Sequence, residues 1–252
     1  MEQALTTTKT KIIALPYAGG NKYCYRAIQE YVPKDIEWVT LELPGRGERF
    51  TEEFIETINE MAEDLFVQLI SAVGGSEYII YGHSMGTLLG YELLKKAREE
   101  KFKLPNSLFF TGRGAPEYDK IVNKKSQLSE KIFWKEVNEM GGLPKEILAN
   151  ESLLNLYYPI LKSDFKSIEN YKYKTGSLPF MIPIQVCLGT EEIGEGKNKT
   201  TITEMKAWGK VTSGPCSFEV LHGDHFFIFK HPKAIVQKLC YAVEKSKQLS
   251  VI

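Results

Sequence analysis

The pentapeptide Gly82-His83-Ser84-Met85-Gly86 lies between an apolar run, EYIIYG (77–82), and a helical pattern from Met85 to about Glu100. A Gly-x-Ser-x-Gly at the corner of a strand–turn–helix unit strongly limits the possible folds. The sharp turn strains the serine backbone and projects its hydroxyl above a sheet, and side chains at the flanking glycines would strike the neighbouring strand and helix. The helix begins at the serine, so its free N–H groups and dipole favour negative charge there. On the order of one chain in ten of this length holds such a pentapeptide by chance, so the weight rests on its placement.

The rest of the chain repeats the alternation. KIIAL (11–15), EWVTLEL (37–43), SLFFTG (107–112), PIQVCLG (183–189) and SFEVL (217–221) read as further strands, several ended by Pro or Gly. Between them Ile58, Met61, Ala62, Leu65, Phe66 and Leu69 recur at helical spacing. Thr57 and Glu60 predict a capping box at that helix start. A last helix is expected over about 232–247. Short apolar strands alternating with amphipathic helices predict an α/β fold with a mostly parallel central sheet. Strand patterns stop between about Tyr118 and Tyr173, where the sequence is helical with a break at Gly141-Gly142. The expected organisation is a core of 1–117 and 174–252, with 118–173 as a helical lid insertion.

A serine hydroxyl needs a base to take its proton. Of the four histidines, His83 is too close along the chain, and His231 beside Pro232 reads as a surface residue. His225, in the loop LHGDHFF (221–227) after the last strand, is the expected base, with His222 as the alternative. An aromatic run follows His225 and would wedge it in place. The orienting carboxylate should follow a strand between serine and base. Glu192, three residues past Gly189, is the choice, while Glu191 and Glu195 remain open. The oxyanion would be met by backbone N–H groups of Met85 and of the turn over 15–20, with Ala18 as the candidate.

Composition removes other classes. Lys plus Arg (32) equals Asp plus Glu (32), so no basic field argues for nucleic acid. No run approaches 18 apolar residues, so no membrane span is expected. The opening EQALTTTKTK has no signal-peptide pattern, and a cytoplasmic location is expected. Cys24, Cys187, Cys216 and Cys240 are scattered with no metal-ligand spacing, so free thiols and no metal site are expected.

Several segments together resemble the type II thioesterases that accompany nonribosomal peptide and polyketide synthases, within the α/β-hydrolase superfamily. PYAGG (16–20) is similar to the family's PHAGG oxyanion segment, with Tyr17 replacing histidine. LPGRGER (43–49) resembles its arginine-bearing loop, GHSMG (82–86) its nucleophile motif, GRGAP (112–116) a strand-end motif, and GDHFFI (223–228) its histidine loop. The segments at 140–144 and 159–165 resemble parts of the lid. Two departures stand out. The family places aspartate where Glu192 stands, and the stretch from there to Trp208 is longer here; Lys162 also replaces a usual arginine. The resemblance implies an α/β-hydrolase fold and hydrolysis of acyl thioesters on the phosphopantetheine arm of carrier proteins. It implies a carrier-protein partner and no cofactor beyond that substrate-borne arm; a monomer is expected. The competing readings are a general carboxylesterase or lipase, and a hydrolase-like binding module without activity. Arg46, Arg49 and Arg113 could contact pantetheine phosphate or form structural ion pairs.

Overall fold

A computed structural model describes residues 9–118, 124–141, 147 and 149–249. Six strands form one sheet: β1 (Thr10–Leu15), β2 (Ile36–Thr40), β3 (Tyr78–His83), β4 (Leu108–Thr111), β5 (Ile184–Gly189) and β6 (Cys216–Leu221), in the order β2-β1-β3-β4-β5-β6. Every adjacent pair is parallel. Strand β1 is followed by β2 on one side and β3 on the other, so chain order reverses at β1. The crevice above such a switch point, at the carboxyl ends of the strands, is where α/β sheets place their ligands.

Both faces of the sheet are covered, which is why its strands read as near-continuous apolar runs. Ile13, Leu15, Ile80, Phe110 and Val186 point to one face, packed by α2 (Ile58–Val73) and α3 (Met85–Glu99). Ile12, Ala14, Ile79, Tyr81 and Phe109 point to the other, covered by α1 (Arg26–Gln29) and the last helix, Pro232–Leu249. The buried face of α2 holds Ile58, Met61, Ala62, Leu65, Phe66, Leu69 and Val73, its larger side chains contributing about 1.5–3 kcal/mol each. The chain between β4 and β5 is helical where described: α4 (Glu130–Glu139) ends near Gly141 at φ 79°, and α5 (Glu151–Asn170) follows. Gly142, and with it most of the segment 140–144, lies outside the described residues. After β5 come α6 (Ile202–Lys206), α7 (Phe227–Lys230) and α8 (Pro232–Leu249). No described helix is long and apolar enough to cross a membrane.

Two local expectations are corrected. Strand β2 stops at Thr40, not at residue 43, because the Gln68 amide takes over the pairing: its Oε1 accepts from Glu42 N at 3.1 Å and its Nε2 donates to Glu42 O at 2.9 Å. Leu41 N–H makes the last bond to β1, donating to Ala14 O at 3.0 Å, and Leu43 stays buried beyond the strand. At the start of α2, Thr57 Oγ1 accepts from Glu60 N at 3.2 Å, but Glu60 bonds back to the Thr57 hydroxyl, at 2.6 Å, instead of the Thr57 N–H. Thr57 is an N-cap, and the reciprocal half of the box is absent.

Candidate active site

Ser84 follows β3 and caps α3 with φ 54° and ψ −114°. A non-glycine residue in such a region costs of order 1–3 kcal/mol and persists only where its surroundings hold it. Here Ser84 N donates to Thr111 O at 2.8 Å, and Thr87 Oγ1 donates to Ser84 O at 2.8 Å. The flanking glycines are required by close approach: a Cβ on Gly82 would enter the Gly86 carbonyl, and one on Gly86 would enter that of Leu15. The start of α3 therefore lies against the end of β1.

His225 Nε2 lies 3.0 Å from Ser84 Oγ, and its Nδ1 lies 2.6 Å from Glu192 Oε1. Protonation at Nδ1 satisfies the carboxylate and leaves Nε2 to accept the serine hydroxyl. Glu192 is 5% exposed in the 3-10 turn Thr190–Glu192 after β5, and its Oε2 accepts from Gly189 N at 2.7 Å. The acid and histidine loops are laced together: Glu191 N donates to Gly223 O at 2.9 Å, and Gly223 N donates to Thr190 Oγ1 at 3.1 Å. Phe226 meets the His225 ring edge-on at 5.1 Å between centres, and Phe227 is fully buried behind it. The other candidates are elsewhere. His222 is exposed and 3.5 Å from Thr190 Oγ1, while His231 Nε2 meets the carbonyl of His222 at 2.7 Å. Glu191 and Glu195 are exposed.

Among the described residues neither Met85 N–H nor Ala18 N–H has a protein acceptor. The neighbouring Gly19 N–H is occupied, donating to Asp164 Oδ2 at 2.7 Å. Asp164, on α5, is fully buried and also receives Arg46 as a bidentate pair, at 2.6 and 2.8 Å. Arg46 is thus a structural ion pair, and Arg49 likewise pairs with Asp64 and Glu52. No pattern in the chain marked Asp164 as the tie between α5 and the turn after β1.

His83 is a second histidine beside the first, its ring centre 4.9 Å from that of His225. It is fully buried; Nδ1 lies 3.0 Å from Thr111 Oγ1, and Nε2 has no partner among the described residues. Burial, reinforced by His225, holds its pKa well below the usual histidine range, so it is neutral. Above Ser84 and His225 lies a cavity of about 1350 Å³, whose walls include Tyr17, Val137, Met140, Tyr157, Leu161 and Phe165. Arg113 also lines it. The described residues contain no cluster of three or more His, Cys, Asp or Glu suited to a metal ion.

The thioesterase domain family model matches residues 10–242. Gramicidin S biosynthesis protein GrsT of Aneurinibacillus migulanus is 28% identical over 235 residues, 93% of this chain and 89% of that protein. Among solved structures, ClbQ from the colibactin NRPS/PKS pathway superposes with a TM-score of 0.88 at 26% identity, covering 96% of this chain and 100% of that one. The type II thioesterase BorB from the borrelidin biosynthetic cluster gives 0.83 at 26% identity, covering 93% of each chain.

Proposed function

Because the chain belongs to the thioesterase domain family, we propose that it is a type II thioesterase that frees acyl groups from the phosphopantetheine arm of carrier proteins. The observation that carries the reading is the continuous line Ser84 Oγ–His225 Nε2, His225 Nδ1–Glu192 Oε1, at 3.0 and 2.6 Å, under a cavity large enough for an acyl chain. The similarity to GrsT, ClbQ and BorB supports a role beside a peptide or polyketide synthase.

In this mechanism Ser84 Oγ attacks the thioester carbonyl carbon while His225 Nε2 takes its proton. Glu192 stabilises the resulting imidazolium and keeps Nε2 facing the serine. The N–H groups of Met85 and Ala18 receive the oxyanion, the geometry in which preorganised donors contribute most. Collapse breaks the carbon–sulfur bond, and the departing thiolate takes the proton from Nε2. Water then attacks the acyl-serine with His225 again as base, releasing a carboxylic acid and restoring Ser84. The segment 118–173, helical where described, would serve as a lid over the acyl group.

The test is release of free acid from an acyl-loaded carrier protein by the wild type and by Ser84→Ala. The expected result is turnover by the wild type and a loss of at least about a thousandfold in the variant. Equal rates would remove Ser84 from the mechanism. Failure of both, with Ser84 still labelled by a fluorophosphonate, would keep the serine hydrolase and reject its substrate.

A further inference from the structure

Lys125 is a buried charge that the hydrolytic steps leave unused. It opens the 3-10 turn Lys125–Gln127, is 9% exposed, and lines the same cavity as Ser84 and His225. Its ammonium donates to Asn198 Oδ1 at 2.9 Å and lies 5.7 Å from the centre of the Phe165 ring. Neither neighbour is a counter-charge. Nearby carboxylates are engaged elsewhere. Glu136 pairs with Lys197, Glu169 accepts from the N–H and hydroxyl of Ser126, and Glu204 accepts from Thr201 N at 2.7 Å. Among the described residues Lys125 has no carboxylate within ion-pair distance, so its lost hydration is only partly replaced. Burial pushes its pKa below the usual lysine range; Glu136 and Glu169 oppose the shift, and Lys197 and Arg113 add to it.

Asn198 belongs to the loop between the turn Thr190–Glu192 and α6. It sits at φ 58°, a left-handed conformation that asparagine tolerates better than most residues. The loop thus delivers a carboxamide, and no opposite charge, to the buried ammonium.

We propose that Lys125, with Asn198 beside it, forms an anion-receiving subsite of the cavity that binds a carboxylate or phosphate oxygen of the thioester substrate. The inference rests on the thioesterase reading and narrows it. The anion is either the distal carboxylate of a dicarboxylic acyl group or the phosphate of the pantetheine arm. Either would give the ammonium the charge-assisted hydrogen bond it lacks.

Four thioesters separate the two sources: butyryl- and succinyl-N-acetylcysteamine, which carry no phosphate, and butyryl-pantetheine against butyryl-phosphopantetheine. The wild type is expected to favour the anionic member of one pair by about tenfold in kcat/KM. Lys125→Met should bring that ratio to within about twofold of unity, and Asn198→Ala should lower it partway. Each ratio is taken within a single preparation, so a partly unfolded variant does not distort it. The pair whose ratio collapses identifies the source. Ratios near unity in the wild type, or ratios unchanged by Lys125→Met, overturn the subsite even while butyryl thioesters are hydrolysed. Absence of hydrolysis of all four by the wild type overturns the thioesterase reading, and the subsite falls with it.

Discussion

His83 and His225 lie side by side, yet their partners give them different properties. His225 has a carboxylate on one nitrogen and a hydroxyl on the other, whereas His83 has a threonine on one and, among the described residues, no partner on the other. A histidine held neutral by burial binds fewer protons folded than unfolded, so stability rises with pH across the range where the unfolded residue titrates. The contribution of His83 is complete above its ordinary value of 6.5 and is lost as pH falls below it. The expected slope is about 1.4 kcal/mol per pH unit. Urea midpoints of the wild type and His83→Asn between pH 7.5 and 5 should therefore diverge below about 6.5 by the equivalent of one proton. Parallel curves would mean that His83 charges freely in the fold. Sequence reading could set His83 aside as a base because it adjoins Ser84, but nothing local reveals its burial. The approach of Ser84, His225 and Glu192 to one another was legible because each follows a strand end in an order that the fold imposes. The sequence favoured Glu192 and left Glu191 and Glu195 open; of the three, only Glu192 turns inward to His225 and Gly189 N.

Elements were legible wherever their periodicity is carried by apolar residues, and their ends were less so. The end of β2 depends on Gln68, which lies 26 positions beyond Glu42, so no window on the strand could locate it. The tie between α5 and the turn after β1 spans a still larger separation, 145 positions from Gly19 to Asp164. Its energetics follow from burial. Removing one partner of a buried, hydrogen-bonded pair strands the other and costs about 3–5 kcal/mol, whereas replacing both with apolar groups is far less damaging. Asp164→Ala should lower stability by about that amount in urea unfolding, and adding Arg46→Met should restore part of it. Because Asp164 also holds Gly19 N, the double variant should recover stability without recovering kcat. A cost under about 1 kcal/mol for Asp164→Ala would mean that the pair contributes little to seating α5.

At the scale of the whole molecule, alternation of strands and helices pointed to a two-sided parallel sheet, and the reversal at β1 explains why the candidate site residues converge. Ser84 follows β3, Ala18 follows β1, Glu192 follows β5 and His225 follows β6, so parallel strands bring four distant segments to one edge. The segment between β4 and β5, helical where described, was legible as such there but not in its placement, which depends on buried pairs such as Arg46–Asp164. The same convergence stores strain. The packing of β1, β3 and α3 holds Ser84 at φ 54°, a conformation glycine adopts at little cost. Ser84→Gly should relieve that strain but give back about 0.5–1 kcal/mol through the greater freedom of the unfolded chain. Against a strain of order 1–3 kcal/mol, the balance is a gain of about 1 kcal/mol. For a chain of this size that raises Tm by about 2–4 °C, while turnover is lost with the hydroxyl. Calorimetry of Ser84→Gly beside Ser84→Ala separates the contributions, since alanine removes the hydroxyl and keeps the Cβ. If both variants shift Tm equally, the strain lies in the side chain's surroundings. If only glycine does, the backbone at Ser84 is where stability is sacrificed to hold a hydroxyl above the sheet.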